Sequence, residues 1–258
     1  TPEALTGVPR GAEVLATEAP TLSQDLVAYY RFDGDLIDSS GSELHAVIGE
    51  ESDVDPTLVE TGAKFGGHVS IQDAGGGADG ACYLSPGHSP LLDMTEGQPM
   101  SLTLWFRSHG LQGGDPVILG NKDWVSGYNA GWLLLANEGG DNSFGANFAS
   151  GGDARVDLED VDYSDTQWWF LAVTYDPMGL AMMMTGDAAG VMRWMALETA
   201  AVGTLTSIYP LHLGQDGTGT YAHNLAADID DLAIWRRALS MDELHALYAS
   251  GQGAPVIP

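Results

Sequence analysis

The stretch that decides the fold lies near the C-terminus and reads Ala227-Asp-Ile-Asp-Asp-Leu-Ala-Ile-Trp-Arg-Arg-Ala-Leu-Ser-Met-Asp-Glu-Leu-His-Ala-Leu-Tyr-Ala-Ser-Gly251. Its first part alternates as a β-strand does, because successive side chains of a strand point to opposite faces. The predicted faces are, on one side, Ile229, Asp231, Ala233 and Trp235 and, on the other, Asp230, Leu232 and Ile234. The sequence therefore predicts an acidic strand at this point.

A short helix is predicted to follow that strand. Ser240 is an N-cap candidate, and Glu243 stands three residues later, which is the spacing of a capping box. The apolar stripe of the helix consists of Leu244, Leu247 and Tyr248. Gly251 is expected to end the helix.

Short apolar strands separated by Gly-rich and Asp-rich turns occupy the body of the chain. The predicted strands are 101–107, 117–120, 132–136, 144–148, 169–175, 180–185, 191–197 and 209–214. In the first of them, Leu102, Leu104 and Phe106 alternate with more polar positions, as in a half-buried strand. Many short strands at regular spacing indicate a sandwich or a barrel rather than an α/β fold.

Four segments, taken in order, resemble a known family. They are Leu26-Val-Ala-Tyr-Tyr-Arg-Phe-Asp-Gly-Asp-Leu-Ile-Asp-Ser-Ser-Gly41 followed by His45-Ala46, then Ser101-Leu-Thr-Leu-Trp-Phe-Arg107, then Trp168-Trp-Phe-Leu-Ala-Val-Thr-Tyr-Asp176, and the C-terminal strand and helix. Together they resemble the bacterial laminin G-like jelly rolls of the concanavalin A-like lectin/glucanase superfamily. The resemblance implies an all-β jelly-roll sandwich of two antiparallel sheets with one short C-terminal helix. This fold hosts lectins, adhesion modules and glycanases, so it does not decide the function.

The resemblance also divides the chain. Residues 1–25 carry no periodicity and are predicted to be an N-terminal arm or linker. Residues 26–251 form the predicted laminin G-like domain, and residues 252–258 are expected to be a loose C-terminal tail. The chain starts at Thr1 without a signal peptide, so we expect a processed or trimmed form.

Composition restricts the partners of the chain. Its 258 residues include 36 acidic and 9 basic ones, for a formal net charge of −27. Such a balance argues against nucleic acid and anionic membranes, since both are recognised by clustered Lys and Arg. The acidity fits either a saline habitat or an ordinary acidic surface.

The sequence also bears on the location of the protein. Cys82 is the only cysteine, which rules out an intrachain disulfide but not export. No stretch is apolar enough to cross a membrane. We expect a secreted or cell-surface protein.

A cation site is predicted where the first and last strands come together. The resemblance places these strands side by side, and glucanase relatives often hold a structural calcium ion there. The candidate ligands are Asp33, Asp35, Asp230 and Asp231, since calcium prefers carboxylate and carbonyl oxygens. An inward-facing Asp230 would need such a partner. The alternative is that these are turn and edge carboxylates with their own hydrogen bonds.

A ligand site is predicted in the loop Gly120-Asn-Lys-Asp-Trp-Val-Ser-Gly-Tyr-Asn-Ala-Gly-Trp132. It resembles a loop of some bacterial laminin G-like modules, with Ala130 in place of an expected Pro, and Asn147 and Arg155-Val-Asp157 fit the usual continuation. Amides, carboxylates, cations and indole rings are the groups that sugar sites use. The predicted ligand-binding residues are Asn121, Lys122, Asp123, Trp124, Trp132, Arg155 and Asp157.

The same loop has a second interpretation. Lys122 or Arg155 could pair with Asp123 or Asp157, and Trp124 could plug the end of the sandwich. In that case the polar groups satisfy one another and fix a long loop.

Catalysis has no support in the sequence. Retaining glycanases of this superfamily carry Glu-x-Asp-x-x-Glu on one strand, and this chain has no such pattern. The sequence therefore predicts a non-catalytic, extracellular carbohydrate-binding module with structural calcium. The alternative is a structural or adhesion subunit of a cell-surface or appendage assembly, which would bind neighbouring protein subunits through residues 1–25 and its sheet edges.

Overall fold

The structure is a computed structural model that describes residues 21–72, 81–93, 97–110, 112–138, 143–163, 166–200, 202–203 and 205–257. The strands of this part are β1 Leu26–Tyr30, β2 Val47–Ile48, β3 Thr57–Val59, β4 His68–Ile71, β5 Leu84–Gly87, β6 Met100–Ser108, β7 Val117–Gly120, β8 Gly131–Glu138, β9 Ser143–Ala149, β10 Arg155–Asp162, β11 Trp169–Tyr175, β12 Leu180–Gly186, β13 Met192–Glu198, β14 Leu211–Leu213 and β15 Ala227–Trp235. Helix α1 spans Met241–Tyr248 and runs into a 3-10 turn at Ala249–Gly251.

The strands form two antiparallel sheets, which confirms the predicted jelly-roll sandwich. Sheet A has the order β13-β12-β11-β6-β15-β4-β3, and β1 also pairs with β15. Sheet B has the order β10-β9-β8-β7-β14-β5-β2. Several neighbouring strands are distant in sequence, as in β6 beside β15 and β14 beside β5, so segments from different parts of the chain meet in each sheet.

Two apolar cores hold the domain together. The main core lies between the sheets and receives the inward side chains of β6, which are Leu102, Leu104 and Phe106. The second core lies on the outer face of sheet A, where the Trp105 ring packs against Phe170 and Tyr248, with ring centroids 5.3 and 6.3 Å away. The predicted alternation of β6 is confirmed, but the strand is buried on both faces because α1 covers the outer one.

A β-bulge at Asp231 changes the predicted faces of β15. Asp231 has a φ of 53°, and the register against β6 shifts after Asp230. Asp230 lies opposite Trp105, on the outer face of sheet A, whereas Leu232 and Ile234 belong to the core between the sheets. The prediction that Asp230 shares their face is therefore wrong, because an extra residue in a strand reverses the alternation beyond it.

The predicted helix start is confirmed. The Ser240 hydroxyl accepts a hydrogen bond from the Glu243 N–H, and the Glu243 carboxylate accepts one from the Ser240 N–H. The helix ends earlier than predicted, because Ala249, with a φ of 45°, is the left-handed cap. Gly251 instead allows a close contact between its backbone and the β12–β13 turn. A side chain at this position would not fit, because its Cβ would lie 2.8 Å from the Asp187 carbonyl oxygen.

Both ends of the described chain are attached to the domain. Leu22 packs against the second core, and its carbonyl accepts a hydrogen bond from Trp235 Nε1 at 2.7 Å. The C-terminal tail was expected to be loose, but Val256 is buried in the second core and the Ala254 N–H bonds the Leu247 carbonyl. Most of the predicted arm, residues 1–20, lies outside the described residues.

In the part of the chain that the structure describes, no helix is long and apolar enough to cross a membrane.

Candidate functional site

The predicted ligand loop between β7 and β8 is held by a buried lysine. Lys122 Nζ donates hydrogen bonds to the Gly127 carbonyl at 2.9 Å and to Asn147 Oδ1 at 2.6 Å. Asn147 Nδ2 in turn bonds Asp157, which pairs with Arg155 Nε at 2.8 Å. Burial lowers the pKa of Lys122 to about 7, with Asp157 acting in the opposite direction. The network satisfies the loop's own polar groups, as the second interpretation of the sequence expects.

Three of the predicted ligand residues are buried. Trp132 belongs to the core between the sheets, because it begins the inward side of β8. Asn121 uses its side-chain oxygen to accept the Trp132 N–H at 3.0 Å, and Lys122 is fully buried beneath the loop. These three side chains lie beneath the surface of the loop, so the structure offers no support for a direct sugar contact, and their ligand role stays a prediction. The half-exposed or exposed members are Asp123, Trp124, Arg155 and Asp157.

Trp124 covers an apolar patch on the outer face of sheet B. The patch consists of Val117, Leu133 and Leu135. Asp115 fixes the covering rings, because its two carboxylate oxygens accept hydrogen bonds from Trp124 Nε1 at 2.8 Å and from the Tyr221 hydroxyl at 2.5 Å. The indole is thus packed on the sheet and fixed by Asp115, and it remains half-exposed.

A groove of about 730 Å³ lies on the same outer face, at the edge formed by β14, β5 and β2; we call it the main groove. Its position follows from strand alternation: Leu211 and Leu213 enter the core between the sheets, so His212 between them points outward. Ser85 points outward for the same reason, beside the core residue Leu84. The other chemically important lining residues are Glu50, Glu51, Tyr83, His88, Tyr209 and Thr218.

The floor of the main groove is closely packed. The rings of Tyr83 and His212 contact each other, with centroids 4.4 Å apart. Gly49 lies directly against the tyrosine ring, where any Cβ would come within 2.1 Å, so the backbone of 49–51 wraps around it and brings Glu50 and Glu51 to the rim. Both floor residues are buried, whereas Tyr209 is half-exposed.

His212 presents an acceptor to the main groove. Its Nδ1 lies 2.6 Å from the carbonyl oxygen of Asp216, and since a carbonyl only accepts, Nδ1 carries the proton. Burial lowers the pKa of His212, so the ring is neutral at pH 7. Its Nε2 makes no hydrogen bond to the described residues and is left as an acceptor for a hydroxyl group of a ligand.

A second, smaller cavity adjoins the main groove. This loop cleft, of about 290 Å³, runs between the predicted ligand loop, at Asp123 and Asn129, and residues 206–209. Tyr209 lines both cavities. The predicted ligand loop also supports the groove wall, because the Gly217 N–H bonds the Lys122 carbonyl at 2.9 Å. The loop that the sequence singled out is therefore a support and a border of the candidate site.

The predicted cation ligands lie on the side of sheet A: Asp230 and Asp231 are in β15, and Asp33 and Asp35 are in the loop after β1. Asp230 is fully buried, and its Oδ2 accepts the N–H groups of Lys64 and Phe65 at 2.9 and 2.8 Å. Its Oδ1 is buried and has no hydrogen-bond partner among the described residues. Burial raises the pKa of Asp230 to about 8, and the negative charges of Asp231 and Asp33 act in the same direction.

The other three predicted cation ligands already have partners. Asp231 accepts the Tyr29 hydroxyl at 2.5 Å, and burial raises its pKa to about 6. Asp33 pairs with Arg31, and Asp35 closes its own turn by accepting the Ile37 N–H. In the described part of the chain, no three His, Cys, Asp or Glu side chains are arranged to hold a metal ion. The calcium site therefore stays a prediction.

The fold and the main groove define a β-sandwich module with a surface cavity of a size that suits a small ligand. The chain belongs to the concanavalin A-like lectin/glucanases superfamily, whose laminin G-type model matches residues 76–245. A search of curated proteins found no match.

Several solved structures share this fold. The binding domain of Paraclostridial mosquitocidal protein 1 has a TM-score of 0.67 at 14% identity, over 89% of this chain and 53% of that one. The botulinum neurotoxin serotype G binding domain has a TM-score of 0.63 at 15% identity, over 87% and 50%. The serotype D domain, solved with N-acetylneuraminic acid, has a TM-score of 0.62 at 15% identity, over 88% and 51%. The chain thus spans about half the length of these structures, and the likeness at this identity concerns the fold.

The sequence did not reveal the main groove. Its lining residues come from 47–51, 83–88 and 209–218, which lie far apart in the chain. One signal was present: His212 is a single polar residue between Leu211 and Leu213, and Tyr209 lies just before that strand. Only the sheet order places that strand beside β5, and hence beside Tyr83.

Proposed function

We propose that this chain is a non-catalytic carbohydrate-binding module and that its glycan lies in the main groove, with the loop cleft extending the binding surface. The observation that carries the proposal is the groove itself. It offers a half-exposed Tyr209 ring, the acceptor Nε2 of His212 and the hydroxyl of Thr218 within one cavity. Aromatic faces stack on sugar C–H groups, and fixed polar groups read hydroxyls.

Two further points support this function. The family includes lectins, and the similar structures are binding domains, one of them solved with a sugar. The sequence also lacks the paired carboxylates of the superfamily's glycanases. We propose an extracellular setting for the module, in a secreted or cell-surface protein, because glycan-binding modules of this family act there.

We also propose that calcium binds beside Asp230. The orphaned Asp230 Oδ1 is an oxygen that a hard cation could satisfy, with Asp231 and Asp33 close enough to affect its charge. Backbone oxygens would complete the ligand set. Asp35 is the least supported member of the predicted set, because its carboxylate is occupied in a local turn.

The test is binding to a broad panel of neutral and acidic polysaccharides, measured in calcium and in EDTA. Tyr209→Ala should weaken binding at least about tenfold, because it removes the stacking ring that both cavities share. Trp194→Ala is the matched control, since Trp194 is an aromatic residue, 61% exposed, on the far strand β13 of sheet A.

The outcome separates three possibilities. Loss of binding in Tyr209→Ala with wild-type binding in Trp194→Ala supports the main groove. Equal binding by all three proteins places the sugar elsewhere. An absence of binding across the panel, with the protein folded, would overturn the carbohydrate proposal.

A further inference from the structure

We infer that the main groove selects glycans without acidic groups, taking neutral or amine-bearing sugars and rejecting uronic, sialic and sulfated ones. This inference rests on the proposed function and adds the charge class of the ligand. It follows from which charged side chains reach the cavity and which are kept away from it.

The charged rim of the main groove is negative. Glu50 and Glu51 line it and are both exposed. Asp216 is buried just beneath the wall, where its carboxylate accepts the N–H groups of Trp124 and Thr218. None of the described residues that line the groove is a lysine or arginine. An anionic ligand would therefore meet two solvent-facing carboxylates with no cation to pair with.

The basic residues of the described chain lie outside the lining of the main groove, and several of them are paired there. Arg31, Arg107 and Arg237 form ion pairs on strands and turns of sheet A. On sheet B, Lys122 is buried under its loop and Arg155 is paired with Asp157. His88, another residue of the groove lining, lies 3.5 Å from the Asp93 carboxylate.

The floor of the groove experiences this negative field. The pKa of Tyr83 is raised mainly by burial, and the charges that act on it with the same sign are those of Glu51, Glu50 and Asp216. The neutral His212 beside it does not offset them. A carboxylate or sulfate on a sugar bound over these rings would be repelled, whereas an amine would be attracted.

The experiment compares glycans that share a backbone and differ in charge. Suitable pairs are cello-oligosaccharide with its C6-oxidised glucuronan, neutral with sulfated galactan, and mannan with mannuronan; a glucosamine oligomer supplies the cationic case. Binding is measured at pH 8, above the ordinary histidine pKa of about 6.5, and at low and high salt. We expect the neutral member of any bound pair to bind at least about tenfold more tightly than the acidic one.

A double variant locates the effect. Glu50→Gln with Glu51→Gln should bring the affinity for the acidic glycan close to that for the neutral one, whereas Glu198→Gln, on the exposed strand β13, should change nothing. Tighter or equal binding of the acidic member by the wild type overturns the inference and leaves the carbohydrate function standing. Unchanged discrimination in the double variant also overturns it. Failure of every glycan to bind defeats the proposed function, and this inference with it.

Discussion

We expect Asp230 to make the stability of the domain depend on pH. Burial raises its pKa to about 8 from the ordinary value of 3.8. Between these two values the folded chain holds a proton that the unfolded chain has released, so the free energy of unfolding falls as the pH rises. Asp230→Asn should abolish this contribution, because the amide oxygen can still accept the Lys64 and Phe65 N–H groups but the side chain cannot ionise.

The size of the effect follows from the shift. At pH 6 the folded Asp230 is almost fully protonated, and at pH 8 about half, so the group's contribution falls by about 2 kcal/mol between them. For a domain of this size each kcal/mol moves the melting temperature by about 2–4 °C, which gives a fall of about 4–8 °C. Burial lowers the pKa values of His68 and His212, so their contribution to stability grows as the pH rises, opposite to that of Asp230. This contribution is the same in the wild type and in Asp230→Asn, so it cancels in the comparison.

The assay is differential scanning calorimetry of the wild type and Asp230→Asn at pH 6, 7 and 8 in EDTA. The difference between the two melting curves isolates Asp230. If the melting temperatures of the two proteins changed with pH in parallel, the reasoning would be refuted, since Asp230 would then gain no proton on folding.

The second experiment adds calcium at pH 8. The proposed ion should raise the melting temperature of the wild type and leave that of the variant unchanged. A wild type that does not respond to calcium would overturn the calcium proposal and leave the buried acid in place.

Two smaller predictions concern the loop and the helix. Trp124→Ala should cost about 2 kcal/mol of stability in thermal unfolding, roughly half of what a fully buried tryptophan costs, because the ring covers Val117, Leu133 and Leu135. Tyr128→Ala, an exposed ring of the same loop, is the control, and an equal loss there would show that the apolar patch is not the cause. Ser240→Ala should lower the melting temperature by about 2–4 °C through loss of the N-cap, and Ser240→Asp should restore it; no change in Ser240→Ala would contradict the capping role.

Local patterns predicted most of the fold. Alternation identified the core strands, and the strand β7 was predicted with its observed ends. The capping spacing of Ser240 and Glu243 placed the helix start correctly, because that signal is contained in four residues. Met183 and Met184 fill the cores, as expected of an apolar run in a strand.

The errors came from features that alternation cannot encode. A left-handed Asp231 reversed the faces of β15, and nothing in its identity distinguishes it from an extended aspartate. The site that we propose differs from the loop that the sequence predicted, for a related reason. The loop around Lys122 has the composition of a sugar site, but burial turns those polar groups toward one another. The main groove depends on the order of β14, β5 and β2, which is a property of the whole sheet.

The buried amine of Lys122 can serve as a chemical reporter of loop opening. With a pKa near 7, much of its amine is unprotonated and nucleophilic in ordinary buffers, yet the closed loop shields it completely. An acylating reagent can therefore reach it only when the loop opens, and the labelling rate measures the opening equilibrium when reclosing is fast. The other lysine, Lys64, is held by the Gly251 carbonyl on the far side of the domain. With so few lysines in the chain, mass spectrometry of the labelled protein could follow the motion of a single loop, with and without a candidate ligand, without any engineered probe.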